Sequence, residues 1–128
     1  MEMPSILKYV FLLHFIVCMI FGFLFFLSPE FYADATAWPF FDPVAARVMG
    51  SGFLAIGIAS LFGYRAASWE EVKIVVICDM VFTLFGMLSM VWMMVLHTTI
   101  PALVGWFNTS MFVLFFILFL YSYYIATR

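Results

Sequence analysis

The feature that most constrains this chain is the stretch from Met80 to Thr127, which contains no aspartate, glutamate, lysine or arginine. It is much longer than the roughly 20 apolar residues that a helix needs to cross a bilayer. It must therefore fold back on itself once. The segment His97-Thr-Thr-Ile-Pro101 marks the turn, because polar residues are followed there by a proline suited to the first turn of a helix.

Two further apolar runs precede this stretch, from Tyr9 to Pro29 and from Val48 to Tyr64, the second extended backwards to Pro43. The chain is 68% hydrophobic and 9% charged, whereas a soluble domain carries about 25% charged residues. Lipid must therefore be the solvent for much of the surface. We predict an all-α, polytopic membrane protein with one domain over residues 1–128, built as a four-transmembrane-helix bundle. The predicted spans are residues 7–28, 44–65, 71–96 and 100–126.

The first apolar run raises the alternative of a cleaved signal peptide. Lys8 precedes it, and Ala33-Asp-Ala35 resembles a small-residue cleavage site. The run is much longer than the apolar region of about 7–15 residues in a signal peptide. We therefore expect it to be a mature transmembrane helix.

The distribution of basic residues predicts the orientation, since lysine and arginine favour the cytoplasmic loops. If the N-terminus is cytoplasmic, Lys8, Arg65, Lys73 and Arg128 all lie on that side, and Arg47 alone lies on the outer side. We predict a multi-pass protein of the cell membrane with both termini in the cytoplasm.

The outer loop at residues 30–42 combines acidic and aromatic residues, with Pro39 and Pro43 stiffening its second half. Aromatic side chains prefer the headgroup region of a bilayer. We expect an interfacial segment along the outer surface. The alternative is a segment that packs over the outer mouth of the bundle.

His14 and Asp79 are candidates for a shared intramembrane site. Counted from the cytoplasmic ends of their helices, they lie about 10 Å and 12 Å deep, at 1.5 Å per residue. His14, Cys18 and Gly22 share one helix face, and Asp79 begins a similar stripe that continues with Thr83. The functional interpretation is a proton or substrate site formed by His14, Asp79 and Thr83. The structural interpretation is a hydrogen bond that joins two helices.

Arg47 and Asn108 form a second candidate polar site, at the outer side. Arg47 lies just inside the second helix, and Asn108 lies in the outer half of the fourth. They would bind an anion or a lipid headgroup. The alternatives are an arginine that extends to the headgroups and an asparagine that serves helix packing.

The second helix carries small residues at four-residue spacing, which predicts a helix-packing ridge. The ridge would pack inside the bundle or, alternatively, against another subunit. Its members are Ser51, Ala55, Ala59 and Gly63.

Several site classes lack support in the sequence. His14 and His97 are separated by most of the bilayer, so they cannot share a metal or a haem, and we expect no cofactor. Cys18 and Cys78 have no CxxC spacing and are expected to be structural thiols. The basic residues form no run, so nucleic-acid binding is not expected. The sequence contains no nucleophile motif such as G-x-S-x-G.

The segments Gly22-x-Leu24-Phe-Phe-Leu-Ser-Pro29 and Pro43-x-x-x-Arg47-x-x-Gly50, with Gly57, resemble the DoxX-like small four-helix membrane proteins. That family also places a helix-ending proline before an Arg-x-x-Gly at the start of its second helix. The resemblance covers about the first half of the chain. It implies a four-helix bundle with an accessory role beside other membrane proteins.

We expect a non-enzymatic accessory or assembly subunit that is surrounded by membrane lipids and acts in a homo-oligomer or with another membrane protein. The alternative is a small-solute or proton-coupled transporter that uses His14 and Asp79. An enzyme acting on a lipid is the third interpretation. A transporter should contain a water-accessible cavity that reaches Asp79, whereas a subunit should have a dry interior and a large apolar face covered by another chain.

Overall fold

The computed structural model describes residues 2–97 and 99–128. Over these residues the chain forms five helices, numbered in chain order. They are α1 (Ser5–Leu27), α2 (Pro29–Thr36), α3 (Pro43–Arg65), α4 (Trp69–Leu96) and α5 (Ala102–Ala126). The four longer helices are each long and apolar enough to span a membrane, which confirms the predicted all-α bundle of a multi-pass membrane protein. The predicted ends of these spans lie within two residues of the observed ones.

Prolines and one aspartate set the helix boundaries around α2. α1 ends at Leu27, because Ser28, the residue before Pro29, avoids the helical conformation. Pro29 is then the first residue of α2. Asp42 caps α3, since its carboxylate accepts hydrogen bonds from the main-chain N–H of Val44 at 2.8 Å and of Ala45 at 3.0 Å. These signals place a short helix between two long antiparallel ones.

Both chain ends and the α3–α4 turn lie at one end of the bundle, which we call the terminal end. Glu2 pairs with Ser68 in an isolated antiparallel bridge, and the Trp69 ring lies 5.7 Å from that of Tyr123. The opposite end, called the α2 end, carries α2 and the α4–α5 turn. That turn falls where the sequence predicted it, although Thr98 lies outside the described residues.

The helices form two close pairs, α1 with α3 and α4 with α5. Glycine makes the first pair close. A Cβ atom on Gly50 would lie 2.6 Å from the main-chain nitrogen of Phe26 and 2.9 Å from the carbonyl oxygen of Gly22. A Cβ on Gly57 would lie 3.0 Å from the Cβ of Cys18. The main chains of α1 and α3 therefore approach each other where only glycine fits.

The contact between α1 and α3 does not follow the predicted ridge of Ser51, Ala55, Ala59 and Gly63. For Ser51 and Ala55, the prediction of packing inside the bundle is wrong. Ser51 and Ala55 are exposed, Ala59 is half-buried and Gly63 is buried. Residues four apart on a helix differ by about 40° in direction around its axis. The four ridge residues therefore point in successively different directions, from the outer surface of α3 at Ser51 to its contact with α1 at Gly63. The buried positions are Gly50, Gly57, Ser60 and Gly63.

The half of the bundle near the terminal end is closed by a packed hydrophobic core. Leu7, Phe11, Val76 and Phe119 have no exposed surface, and Val72 is 2% exposed. These residues come from α1, α4 and α5, so the core crosses between the two helix pairs. It separates the middle of the bundle from the terminal end.

The predicted outer loop is mostly helical and packs over the α2 end. Pro29 and Ala33 of α2 are buried, and Tyr32 is half-buried. Phe31 is 66% exposed and points away from the bundle. The buried Pro29 and Ala33 show that α2 contacts the bundle, and the interfacial position of residues 30–42 stays a prediction.

Candidate functional site

The structure brings His14 of α1 and Asp79 of α4 together near the middle of the bundle. Nδ1 of His14 lies 3.7 Å from Oδ2 of Asp79, and both side chains are at most 4% exposed. This distance is too long for a direct hydrogen bond but falls within ion-pair range. Oδ2 of Asp79 has no hydrogen-bond partner among the described residues. The pair predicted from helix depth is thus a real contact.

Ser60 of α3 is a third member that sequence analysis missed. Its Oγ lies 2.9 Å from Nδ1 of His14, in a hydrogen bond that is fully buried. The signal that could have found it is its spacing from the glycines. Ser60 lies ten residues after Gly50 and three after Gly57. The contact positions of two packed helices recur about every 3.5 residues, so these spacings place Ser60 on the same face of α3 as the two glycines.

Thr83 lies one turn beyond Asp79 and is buried, as its stripe predicted. Its hydroxyl donates to the carbonyl oxygen of Asp79 at 2.7 Å. Because a hydroxyl has one proton to donate, it does not donate to the Asp79 carboxylate. His14, Ser60, Asp79 and Thr83 together are called the polar cluster below.

Aromatic residues of α5 hold the His14 ring in place. The ring centroids of Phe115 and Phe119 lie 4.6 Å and 5.0 Å from that of His14. All four spanning helices therefore meet at His14, because α3 contributes Ser60 and α4 contributes Asp79. A ring packed and hydrogen-bonded in this way has little freedom to reorient.

A cavity of about 330 Å³ lies between the two helix pairs, in the half of the bundle near α2. His14 and Thr83 line its deep end, next to the closed core. Asp42 and Ala45, which are exposed, line its other end. The cavity therefore runs from the polar cluster to the surface at the α2 end. Its walls are mainly aromatic side chains and methionines, among them Phe21, Phe53, Phe82, Met111 and Phe112.

At the α2 end, Asn108 of α5 bonds to α2. Its Nδ2 donates to the hydroxyl of Tyr32 at 2.9 Å, and that hydroxyl lies 3.3 Å from Oδ1 of the same amide. Burial raises the pKa of Tyr32, so its hydroxyl keeps its proton. Both side chains also line the cavity.

Arg47 bonds to a different part of α2. Its Nη2 donates to Oε1 of Glu30 at 2.9 Å, and its Nη1 donates to the carbonyl oxygen of Pro43 at 3.3 Å. The main-chain N–H of Glu30 and the Arg47 guanidinium hold the pKa of Glu30 below its usual range.

The outer site of Arg47 and Asn108 stays a prediction. No hydrogen bond joins the two side chains in the part of the chain that the structure describes, and each bonds to α2 through a separate partner. The sequence did not indicate Tyr32 as a partner, because nothing in a short aromatic segment shows which ring faces inward.

Within residues 2–97 and 99–128, no group of three or more histidine, cysteine, aspartate or glutamate side chains could hold a metal ion. Comparisons of the chain with protein-family models, with curated proteins and with solved structures give no match. The resemblance to the DoxX-like proteins stays a prediction that rests on the residues quoted for it. The cavity and the polar cluster therefore carry the functional argument.

Proposed function

We propose that the protein is a carrier of a small solute and that it exchanges protons through the His14–Asp79 pair. The observation that supports this most directly is the cavity that ends on His14 and Thr83. Asp79 does not line the cavity, but its carboxylate lies 3.7 Å from His14. Carboxyl and imidazole groups inside a membrane are costly and recur in proton pathways, and two groups this close titrate together.

The one-sided access of the cavity supports the same proposal. It reaches the surface at the α2 end, and the core around Phe11 and Phe119 closes it towards the terminal end. A carrier needs a site that opens to one side at a time. The polar cluster lies at the boundary between the cavity and the core, where a change in protonation acts on both.

Proton movement in proteoliposomes tests this function. An apolar cavity of about 150 Å³ holds one benzene ring, so a cavity of about 330 Å³ suits a two-ring probe such as 2-naphthalenemethanol. We expect this probe to accelerate proton entry into vesicles that contain a trapped pH dye and carry an imposed pH gradient. Asp79→Asn should abolish the acceleration, because the amide keeps a hydrogen-bonding group but cannot exchange a proton.

Cys78→Ser is the matched control, since Cys78 neighbours Asp79 on α4 but is exposed. It should retain the wild-type rate. Equal rates in the wild type and in a folded Asp79→Asn variant would show that the pair is structural and would overturn the proton-coupled function.

We infer the orientation from the charge distribution. Lys8, Arg65, Lys73 and Arg128 all lie near the helix ends at the terminal end, which favours a cytoplasmic terminal end in a cell membrane. The α2 end, with the mouth of the cavity, then faces outward.

The second candidate function is the accessory or assembly subunit, in a homo-oligomer or beside another membrane protein. It is favoured by the flat outer surface of α3, where Ser51 and Ala55 are exposed and a Cβ on Gly52 would meet nothing within 4 Å. Native mass in mild detergent tests it. Ala55→Leu should lower the oligomer mass if this surface is covered by another chain, and a monomeric wild type would exclude the homo-oligomer.

A further inference from the structure

We infer that the cavity binds a neutral, mostly apolar molecule with a single hydrogen-bonding group, which lies at the deep end against His14. This inference rests on the proposed function, because it names the class of solute that the carrier would take. It follows from the charge, the hydrogen bonding and the size of the cavity.

The charge of the lining argues against ionic solutes. Among the described residues that line the cavity there is no lysine or arginine, and Asp42 is the one with a formal charge. The Asp42 carboxylate is at the exposed mouth and caps α3. An anion would find no counter-charge inside. A cation would be separated from Asp79, which does not line the cavity. Burying an unpaired charge is strongly unfavourable.

The hydrogen bonding of the lining places the polar group of the solute at the deep end. Nδ1 of His14 is engaged by Ser60, while Nε2 of the same ring has no hydrogen-bond partner among the described residues. At the α2 end, Tyr32 and Asn108 satisfy each other. At the deep end, a solute with one donor or acceptor therefore gains a new hydrogen bond beside His14.

The length of the cavity fits a molecule of two fused rings or an equivalent chain. Asn108 lies two turns before Phe115 on α5, about 10 Å along the helix, and the Phe115 ring is in contact with the ring of His14. The cavity walls between Asn108 and Phe115 are apolar, and the ring centroids of Phe82 and Phe112 lie 5.9 Å apart. The body of the solute should therefore be apolar along its length.

A series of probes with one body and different polar groups tests the inference. The probes are 2-naphthalenemethanol, 2-methylnaphthalene, 2-naphthoate and 2-naphthylmethylammonium, titrated calorimetrically at pH 7 into the protein in detergent. We expect saturable binding of the alcohol, about 2- to 10-fold tighter than that of the hydrocarbon, which is the worth of one net hydrogen bond. The two ions should bind more weakly than either.

Variants identify the site of this binding. Ala46→Trp places a large side chain in the lining and should abolish binding, whereas Ala55→Trp, on the exposed face of the same helix, should not. If Ala46→Trp does not fold, Ala45→Trp at the exposed mouth replaces it. His14→Phe keeps the aromatic contacts but removes both nitrogens, so the alcohol and the hydrocarbon should then bind equally. If that variant does not fold, the ¹⁵N shift of His14 Nε2 should change with the alcohol and not with the hydrocarbon.

Tighter binding of either ion than of the alcohol, or equal binding of the alcohol and the hydrocarbon by the wild type, would overturn the inference and leave the carrier function standing. Binding of the alcohol at His14 without any proton movement in vesicles would overturn the carrier function and leave the inference standing. Binding that survives Ala46→Trp or Ala45→Trp would place the probe outside the cavity and would also overturn the inference.

Discussion

Replacement of Gly50 by alanine tests whether the main chains of α1 and α3 touch as the structure describes. The added methyl group would lie 2.6 Å from the main-chain nitrogen of Phe26 and 2.9 Å from the carbonyl oxygen of Gly22. These are backbone atoms of a helix, so no side-chain rotation relieves the contact. Gly52→Ala is the matched control, because it lies on the same helix and its methyl group would meet nothing within 4 Å.

The expected magnitudes follow from this geometry. Ordinary van der Waals contact begins at 3.4 Å, so α1 and α3 must separate by about 0.8 Å at Gly50, and overpacking of this kind costs about 1–3 kcal/mol. Gly52→Ala introduces no contact and raises helix propensity, so it should be neutral or stabilising by up to about 1 kcal/mol. The two variants should therefore differ in their free energy of unfolding by at least about 1 kcal/mol, with Gly50→Ala the less stable.

Reversible unfolding in mixed detergent micelles, followed by circular dichroism, measures this difference. Loss of the α1–α3 contact should also raise the labelling rate of the buried Cys18 thiol in Gly50→Ala. Equal stabilities of Gly50→Ala and Gly52→Ala would refute the argument, because they would mean that the two helices are not in backbone contact at Gly50.

Three further outcomes are expected. A cysteine at Asp34 should react with an impermeant maleimide on intact cells and a cysteine at Ser68 should not; the reverse pattern would invert the orientation. Ser60→Ala should destabilise the protein by about 1 kcal/mol, because His14 loses its hydrogen bond, and unchanged thermal unfolding would mean that this bond contributes nothing. The folded pKa of Glu30 is depressed, so its ion pair stabilises α2 above about pH 4.5 and is lost as the pH falls through the folded value. A nitroxide at position 34 should become mobile over that range, and the step should be absent in Glu30→Gln.

Residue type and periodicity alone determined the membrane location and the bundle. The uncharged stretch from Met80 to Thr127 had to turn back once, and the observed break between α4 and α5 lies where the polar residues and Pro101 placed it. Periodicity also placed His14 and Asp79 at one depth on inward faces, because helix geometry relates sequence position to height. These are local properties, so no contact between helices was needed to derive them.

The tertiary structure decided which faces meet and what they leave empty. The four-residue spacing of Ser51 and Ala55 did not identify the contact face of α3. The contact positions of two packed helices recur about every 3.5 residues, so residues spaced by four do not stay on the contact face. Ser60 belongs to the polar cluster because the face of α3 that carries Gly50 packs against α1, and the sequence alone did not show that this face is the contact. The cavity was likewise invisible in the sequence. It is the volume left between two close helix pairs, and that volume depends on how far apart the pairs stand and not on any single residue that lines it.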